Sequence, residues 1–164
     1  RVMKLDAKYQ ALLSHARQQK GINIQGMELC FQLLSLSARI DRDCAALLAP
    51  HGLSEARFVL LFLLENAPEG MASHRLAERA GITRATVTTL VDGLLKAGLV
   101  QRFAAQADRR SVMVKLSPQG AELAKQLVAT HARWIGQLFS HLSAAECVQL
   151  GALLSKAAGG EQSS

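Results

Sequence analysis

Aromatic residues make up only 4% of this chain, with a single Trp and a single Tyr, and its 164 residues include just three prolines and three cysteines. Each scarcity excludes something. Three cysteines (Cys30, Cys44 and Cys147) without a CxxC pair cannot build a disulfide framework, and they point to a reducing compartment. The histidines His15, His51, His74, His131 and His141 are scattered rather than set at ligand spacing, so no metal site is expected. HExxH, GxSxG, Walker and dinucleotide motifs are all missing, which argues against an enzyme, and no cofactor is expected. No apolar run approaches the roughly 18 residues of a membrane helix. The longest, 58–64, ends in Glu65-Asn66. The chain as given opens without a secretory pattern, so a cytoplasmic location is expected. With aromatics scarce and Leu and Ala abundant, the backbone should be mostly helical.

What is present is a globular composition with a basic balance. Apolar residues account for 49% and charged residues for 20%, too apolar for a disordered chain. The length suits one domain or two small ones. The formal charge is +6 and the pI about 9.7, and the surplus is concentrated. Residues 73–116 hold eight basic side chains (Arg75, Arg79, Arg84, Lys96, Arg102, Arg109, Arg110 and Lys115) against three acids (Glu78, Asp92 and Asp108). That net +5 leaves only +1 for the rest. Positive charge gathered in one segment is the footprint of a nucleic-acid-binding face.

Periodicity supplies the elements. Leu5, Tyr9, Leu12, Leu13 and Ala16 recur at helical spacing. Residues 27–48 are apolar on more than one face, so a long, largely buried helix is expected, ended by Pro50 and Gly52. Ser54 can cap a helix over 55–65, and 66–70 form a turn. Ser73 is expected to cap a short helix to Ala80 that Gly81 breaks. Thr83 then caps a second helix to about Ala97, stopped by Gly98. Two short helices joined by a glycine-containing turn form a helix-turn-helix. Residues 99–103 and 111–116 read as strands around a polar loop. Ser117-Pro118 opens another helix with Leu123, Leu127, Trp134 and Leu138 on its apolar stripe. Ser143 and Glu146 form a capping box for the last helix. The expected fold class is mainly α, a winged helix-turn-helix at 51–116. Helical regions 1–50 and 117–158 flank it and form a dimerisation domain, and 159–164 is a disordered tail.

On a helical wheel begun at Thr83, Val87, Leu90, Val91 and Leu94 cluster toward the core. Ala85, Thr88, Thr89 and Asp92 lie opposite, with Arg84 and Thr86 at the flanks. A small, hydroxylated face lets a helix sit deep in a DNA major groove, where Thr can meet base edges, phosphates or a thymine methyl. The free N–H groups at the helix starts near Ser73 and Thr83 suit phosphate. In the following hairpin, Asp108 and Arg110 are two residues apart, share one side of a strand, and can pair. A carboxylate so placed orients the guanidinium for a narrow minor groove. Arg102 and Arg109 are expected at phosphates.

These residues carry a resemblance. The run Leu76-Ala-Glu-Arg-Ala-Gly-Ile82, followed by Thr88-Thr89, Gly98-Leu-Val100, Arg102, Asp108-Arg-Arg110 and Lys115-Leu-Ser-Pro-Gln-Gly120, resembles the MarR family of winged-helix repressors, over roughly residues 27–158. The resemblance implies a homodimer on a pseudo-palindromic operator. It assigns Thr88 and Thr89 to the groove and Arg110, braced by Asp108, to the wing tip. The layout before Pro50 looks like the branch that represses multidrug-efflux genes. Two positions depart from the family: Gly93 replaces a basic or polar residue, and the wing turn Ala104-Ala-Gln-Ala107 lacks a proline.

The resemblance also implies a small-molecule effector, typically a phenolic or other aromatic anion, held between the dimer helices and the winged unit. Arg39, Arg57, Phe58, Phe62, His131 and Trp134 are candidate lining residues. A thiol-based redox switch is the rival, and a winged-helix protein-interaction module without DNA binding is another. Cys30 lies in an apolar Leu-Cys-Phe setting that suits an inert core thiol, Cys44 follows Asp-Arg-Asp, whose acids disfavour a thiolate, and Cys147 sits in the first turn of the last helix, where the dipole favours negative charge.

Overall fold

The computed structural model describes residues 4–104 and 112–159, and the chain divides into two compact units, Arg1–Phe58 and Val59–Ser164. In the first unit, α1 (Ala7–Ala16) packs on α2 (Ile24–Leu48), which runs into a 3-10 turn at Ala49–His51. Leu13 and Ala16 are buried. Tyr9 stacks on Phe31 with ring centroids 4.6 Å apart, and Arg17 pairs with Glu28 at 2.7 Å. Asn23 caps α2 by accepting the Gly26 N–H at 2.9 Å.

The expectation that this long helix is largely buried is corrected. Only Cys44 and Leu48 of α2 are buried, while Leu29, Leu33 and Leu34 are 56%, 40% and 46% exposed. Apolar residues on more than one face mark either a helix enclosed within its own chain or one that keeps a face for another molecule. Periodicity is identical in the two cases, and here the single chain leaves that face open.

From Glu55 the chain continues as α3 (Glu55–Glu65), begun by Ser54 accepting the Arg57 N–H at 3.3 Å. The second unit then holds β1 (Met71–Ala72), α4 (Ser73–Ala80), α5 (Arg84–Lys96), β2 (Val100–Ala104), β3 (Val112–Leu116), α6 (Pro118–Gln137) and α7 (Ala144–Ala157). The strands form an antiparallel sheet in the order β1-β3-β2, with Met71 and Arg102 both opposite Val114, and Phe103 opposite Met113. Strand alternation sends Val100, Val114 and Met71 to one face, where they are buried. Gln101 and Phe103 are exposed on the other. Leu76 of α4 and Val87, Val91 and Leu94 of α5 complete the buried set of the helix-turn-helix. β1 has no counterpart in the sequence reading, because two residues are too few to show a period.

Backbone proximity fixes the joint between α5 and α6. Gly98 takes the left-handed conformation that ends α5, with φ of 72°. Ser117 is buried. Its hydroxyl donates to the Gly98 carbonyl at 2.6 Å and accepts the Gly120 N–H at 2.9 Å, while its own N–H donates to the Leu99 carbonyl at 3.0 Å.

At the far end, Ser143 and Glu146 form the expected capping box of α7. The Ser143 backbone N–H, and after it the Ser143 hydroxyl, hold the Glu146 carboxyl below its ordinary range. A depressed carboxyl stabilises the fold above that range and loses its contribution as pH falls through it. Ser143→Ala, which removes this side-chain cap, should lower the denaturation midpoint at neutral pH. An unchanged midpoint at neutral pH would show that the cap contributes nothing. No residue of α7 is buried. Ile135, Phe139, Val148, Leu153 and Leu154 are exposed on α6, α7 and the turn between them.

Candidate nucleic-acid interface

Thr83 begins α5 as a side-chain cap, accepting the Thr86 N–H at 3.1 Å, with its hydroxyl 2.8 Å from that of Thr86. Val87, Val91 and Leu94 turn inward. Arg84, Ala85, Thr86, Thr88 and Thr89 are all exposed, so the face drawn on the wheel is the face the fold presents. The Thr88 hydroxyl donates to the Arg84 carbonyl at 3.1 Å, and the Thr89 hydroxyl to the Ala85 carbonyl at 3.2 Å. Their protons are thus held inward, leaving oxygen lone pairs and methyl groups for a partner.

Arg102, expected at phosphate, sits instead between strand and helix. Its Nη1 lies 2.8 Å from Asp92 Oδ1, and its Nη2 donates to the Thr88 carbonyl at 3.4 Å. Both contacts end on α5, so the guanidinium ties β2 to the middle of that helix. Asp92, half-exposed, is the residue whose part in this the sequence did not reveal. It stands ten positions before its partner, across a helix end, a turn and a strand, where no periodicity relates the two.

The expectation that Ser73 caps α4 is corrected. Ala72 occupies the cap position and makes no side-chain cap bond, and Ser73 is already the first helical residue. Ala72 is paired in β1 opposite Met113, so strand geometry sets where the helix begins. The Ser73 hydroxyl donates to the Val112 carbonyl at 3.3 Å, tying the start of α4 to β3.

A helix-turn-helix packed on a small antiparallel sheet, with an exposed hydroxylated second helix, has recognisable relatives. A family profile described as MarR family matches residues 53–112. The HTH-type transcriptional repressor YetL of Bacillus subtilis (strain 168) is 31% identical over 137 residues, covering 83% of this chain and 82% of that protein. The chain belongs to the MarR family. The HTH-type transcriptional regulator PecS of Dickeya dadantii (strain 3937) is 28% identical over 137 residues, covering 82% of each chain. Among solved structures, a mutant MarR from E. coli complexed with operator DNA superposes with a TM-score of 0.67 at 25% identity, covering 81% of this chain and 95% of that one. The chain is a MarR-type transcription regulator with the winged-helix fold.

Of the wing that this MarR-family fold carries, Asp108, Arg109 and Arg110 lie outside the described residues. At its root, the Lys115 ammonium sits 5.3 Å from the centroid of the Phe103 ring.

The six candidate effector residues divide between the two units. In the first unit Arg39 is exposed, Arg57 half-buried and Phe58 buried. In the second Phe62 is exposed, and the half-buried His131 and Trp134 form a tilted pair with centroids 5.4 Å apart. A cleft of about 450 Å³ in the first unit is bordered by Gln10, Ser14, Arg17 and Glu28, and one of about 380 Å³ in the second by Gly70, Arg75, Arg79 and Met113. None of the six lines either.

The thiols also differ from expectation in one place. Cys30, expected in the core, is exposed on the uncovered part of α2, as is Cys147 on α7. Cys44 is buried, and burial pushes its thiol up, helped by the charges of Glu55 and Asp41. Among the described residues no group of three or more His, Cys, Asp or Glu could hold a metal, and no single helix is long and apolar enough to cross a membrane.

Proposed function

We propose that the chain is a cytoplasmic, homodimeric repressor that grips a pseudo-palindromic operator and releases it when a small phenolic or aromatic anion binds. Residues 51–116 are the DNA-binding part, with 1–50 and 117–158 the dimerisation region. In this reading Ala85, Thr88 and Thr89 enter the major groove, and Ser73, Thr83, Arg84 and Thr86 face phosphates. Asp108, Arg109 and Arg110 form the wing tip, and Arg102 positions the reading helix. The observation that carries the reading is the exposed Thr88/Thr89 face, tied to the sheet by Arg102 within a segment of net +5. The uncovered apolar faces, Leu29, Leu33 and Leu34 in one unit and Ile135, Phe139 and Leu154 in the other, support the dimer. A pair of reading helices must sit roughly 34–36 Å apart to meet successive grooves.

DNA binding and assembly are tested together. The chain should sediment as a dimer at micromolar concentration and bind its own upstream region with a steep salt dependence. Thr88→Ala and Arg110→Ala should each weaken operator binding about tenfold, with unchanged thermal unfolding. Full operator affinity in both variants would sink this assignment in favour of a protein-interaction module.

A further inference from the structure

We propose that the cleft on the winged unit, between the 66–70 turn, β1, α4 and β3, takes a small organic monoanion with an apolar body. It holds about 380 Å³, the lower end of small-molecule sites. Arg75, Arg79, Met71 and Met113 are among the residues that line it.

The two arginines stand one turn apart on α4, where like charges disfavour each other. Both are exposed, away from the buried Leu76 and Ala77. Among the described residues neither guanidinium has a hydrogen bond or an ion pair. The nearby Glu78 is not within salt-bridge distance of either. Such a pair resists being adjacent until an anion lies between, and a carboxylate can accept from both forks at once. Of the two methionines, Met71 is buried on the face of Val114 and Met113 is partly exposed, with an unbranched, polarisable side chain that adapts to apolar bodies of different shape. A bare phosphate would need the arginines and gain nothing from the methionines, so the combination favours a carboxylate carrying a short hydrocarbon. None of these lining residues belongs to the groove-reading set or to the six effector candidates, though Arg75 and Arg79 count toward the net +5 of residues 73–116.

Titration of hexanoate into the full chain, followed by amide NMR shifts, tests it. Shifts should concentrate at Ala67, Gly70, Ala72 and Met113. The double variant Arg75→Gln/Arg79→Gln should weaken binding tenfold or more. Uncharged hexanamide and inorganic phosphate should each bind at least tenfold more weakly than hexanoate. Met113→Gln should weaken hexanoate and leave phosphate unchanged. Absence of shifts at the cleft, or equal hexanoate binding by the double variant, would overturn the proposal. Phosphate binding as strong as hexanoate would also overturn it, marking a plain anion face of the kind a DNA backbone contacts.

Discussion

Gly120→Ala lowers stability by about 3 kcal/mol or more. A Cβ at this position runs into the Leu99 carbonyl and comes within 3.1 Å of Leu99 Cα. Those are backbone atoms, and they are held in place. The Leu99 carbonyl accepts from the Ser117 N–H at 3.0 Å, and the Leu99 N–H donates to the Leu94 carbonyl at 2.9 Å. Relief requires pulling α6 away from the end of α5, which breaks the Ser117 bonds to Gly98 and Leu99 and leaves polar groups unpaired in a buried place. Gly136, on the same helix, is the control. A Cβ there meets nothing within 4 Å, so Gly136→Ala should be neutral or stabilise by up to about 1 kcal/mol. Urea denaturation at fixed protein concentration separates the two. Equal midpoints for the two variants would mean that the joint is looser than the bonds around it indicate.

Arg102→Ala weakens operator binding about tenfold while leaving the salt dependence of binding unchanged. The guanidinium is held by Asp92 and the Thr88 carbonyl. Its loss frees α5 from β2, and on the proposed positioning role it removes no contact to DNA. Asp92→Asn should produce a similar loss, and the double variant little more than either single one, because both changes break the same tie. A phosphate-contacting arginine would behave differently, reducing the slope of log K against log salt by about 1. Stability should hardly change, since the ion pair is substantially exposed, with side-chain accessibilities of 34% and 49%, and such pairs contribute roughly 0–1 kcal/mol. Anisotropy titrations at several salt concentrations give both affinity and slope, and a reduced slope for Arg102→Ala would replace the positioning role with a phosphate contact.

Legibility in the sequence followed physical range. Caps act within three residues, so Thr83, Ser117 and Ser143 could be read directly, and the structure places their bonds there. The buried stripe of α5 was equally plain because its period repeats over three turns. Ser73 was misjudged because a competing partner, the Val112 carbonyl, lies 39 positions away. Cys30 and the leucines beside it were misjudged for a related reason. An apolar string states that a surface prefers to leave water, and says nothing of whether its cover lies in the same chain. Arg102 was recognised by type and spacing, but its partner depends on how a strand crosses a helix, which only the folded backbone determines.

The Ser117 joint has a mechanical consequence. α6 is 20 residues long, a rod of roughly 30 Å at the rise of an α-helix. One end of that rod is fastened to the residues that close α5, Gly98 and Leu99, by two hydrogen bonds from Ser117 and the close approach of Gly120 to Leu99. The arrangement is a lever with a stiff fulcrum. A tilt of about 10° would sweep the far end through roughly 5 Å over such a length. A small change of angle at the Ser117 joint is therefore a displacement of several ångströms at the other end of α6.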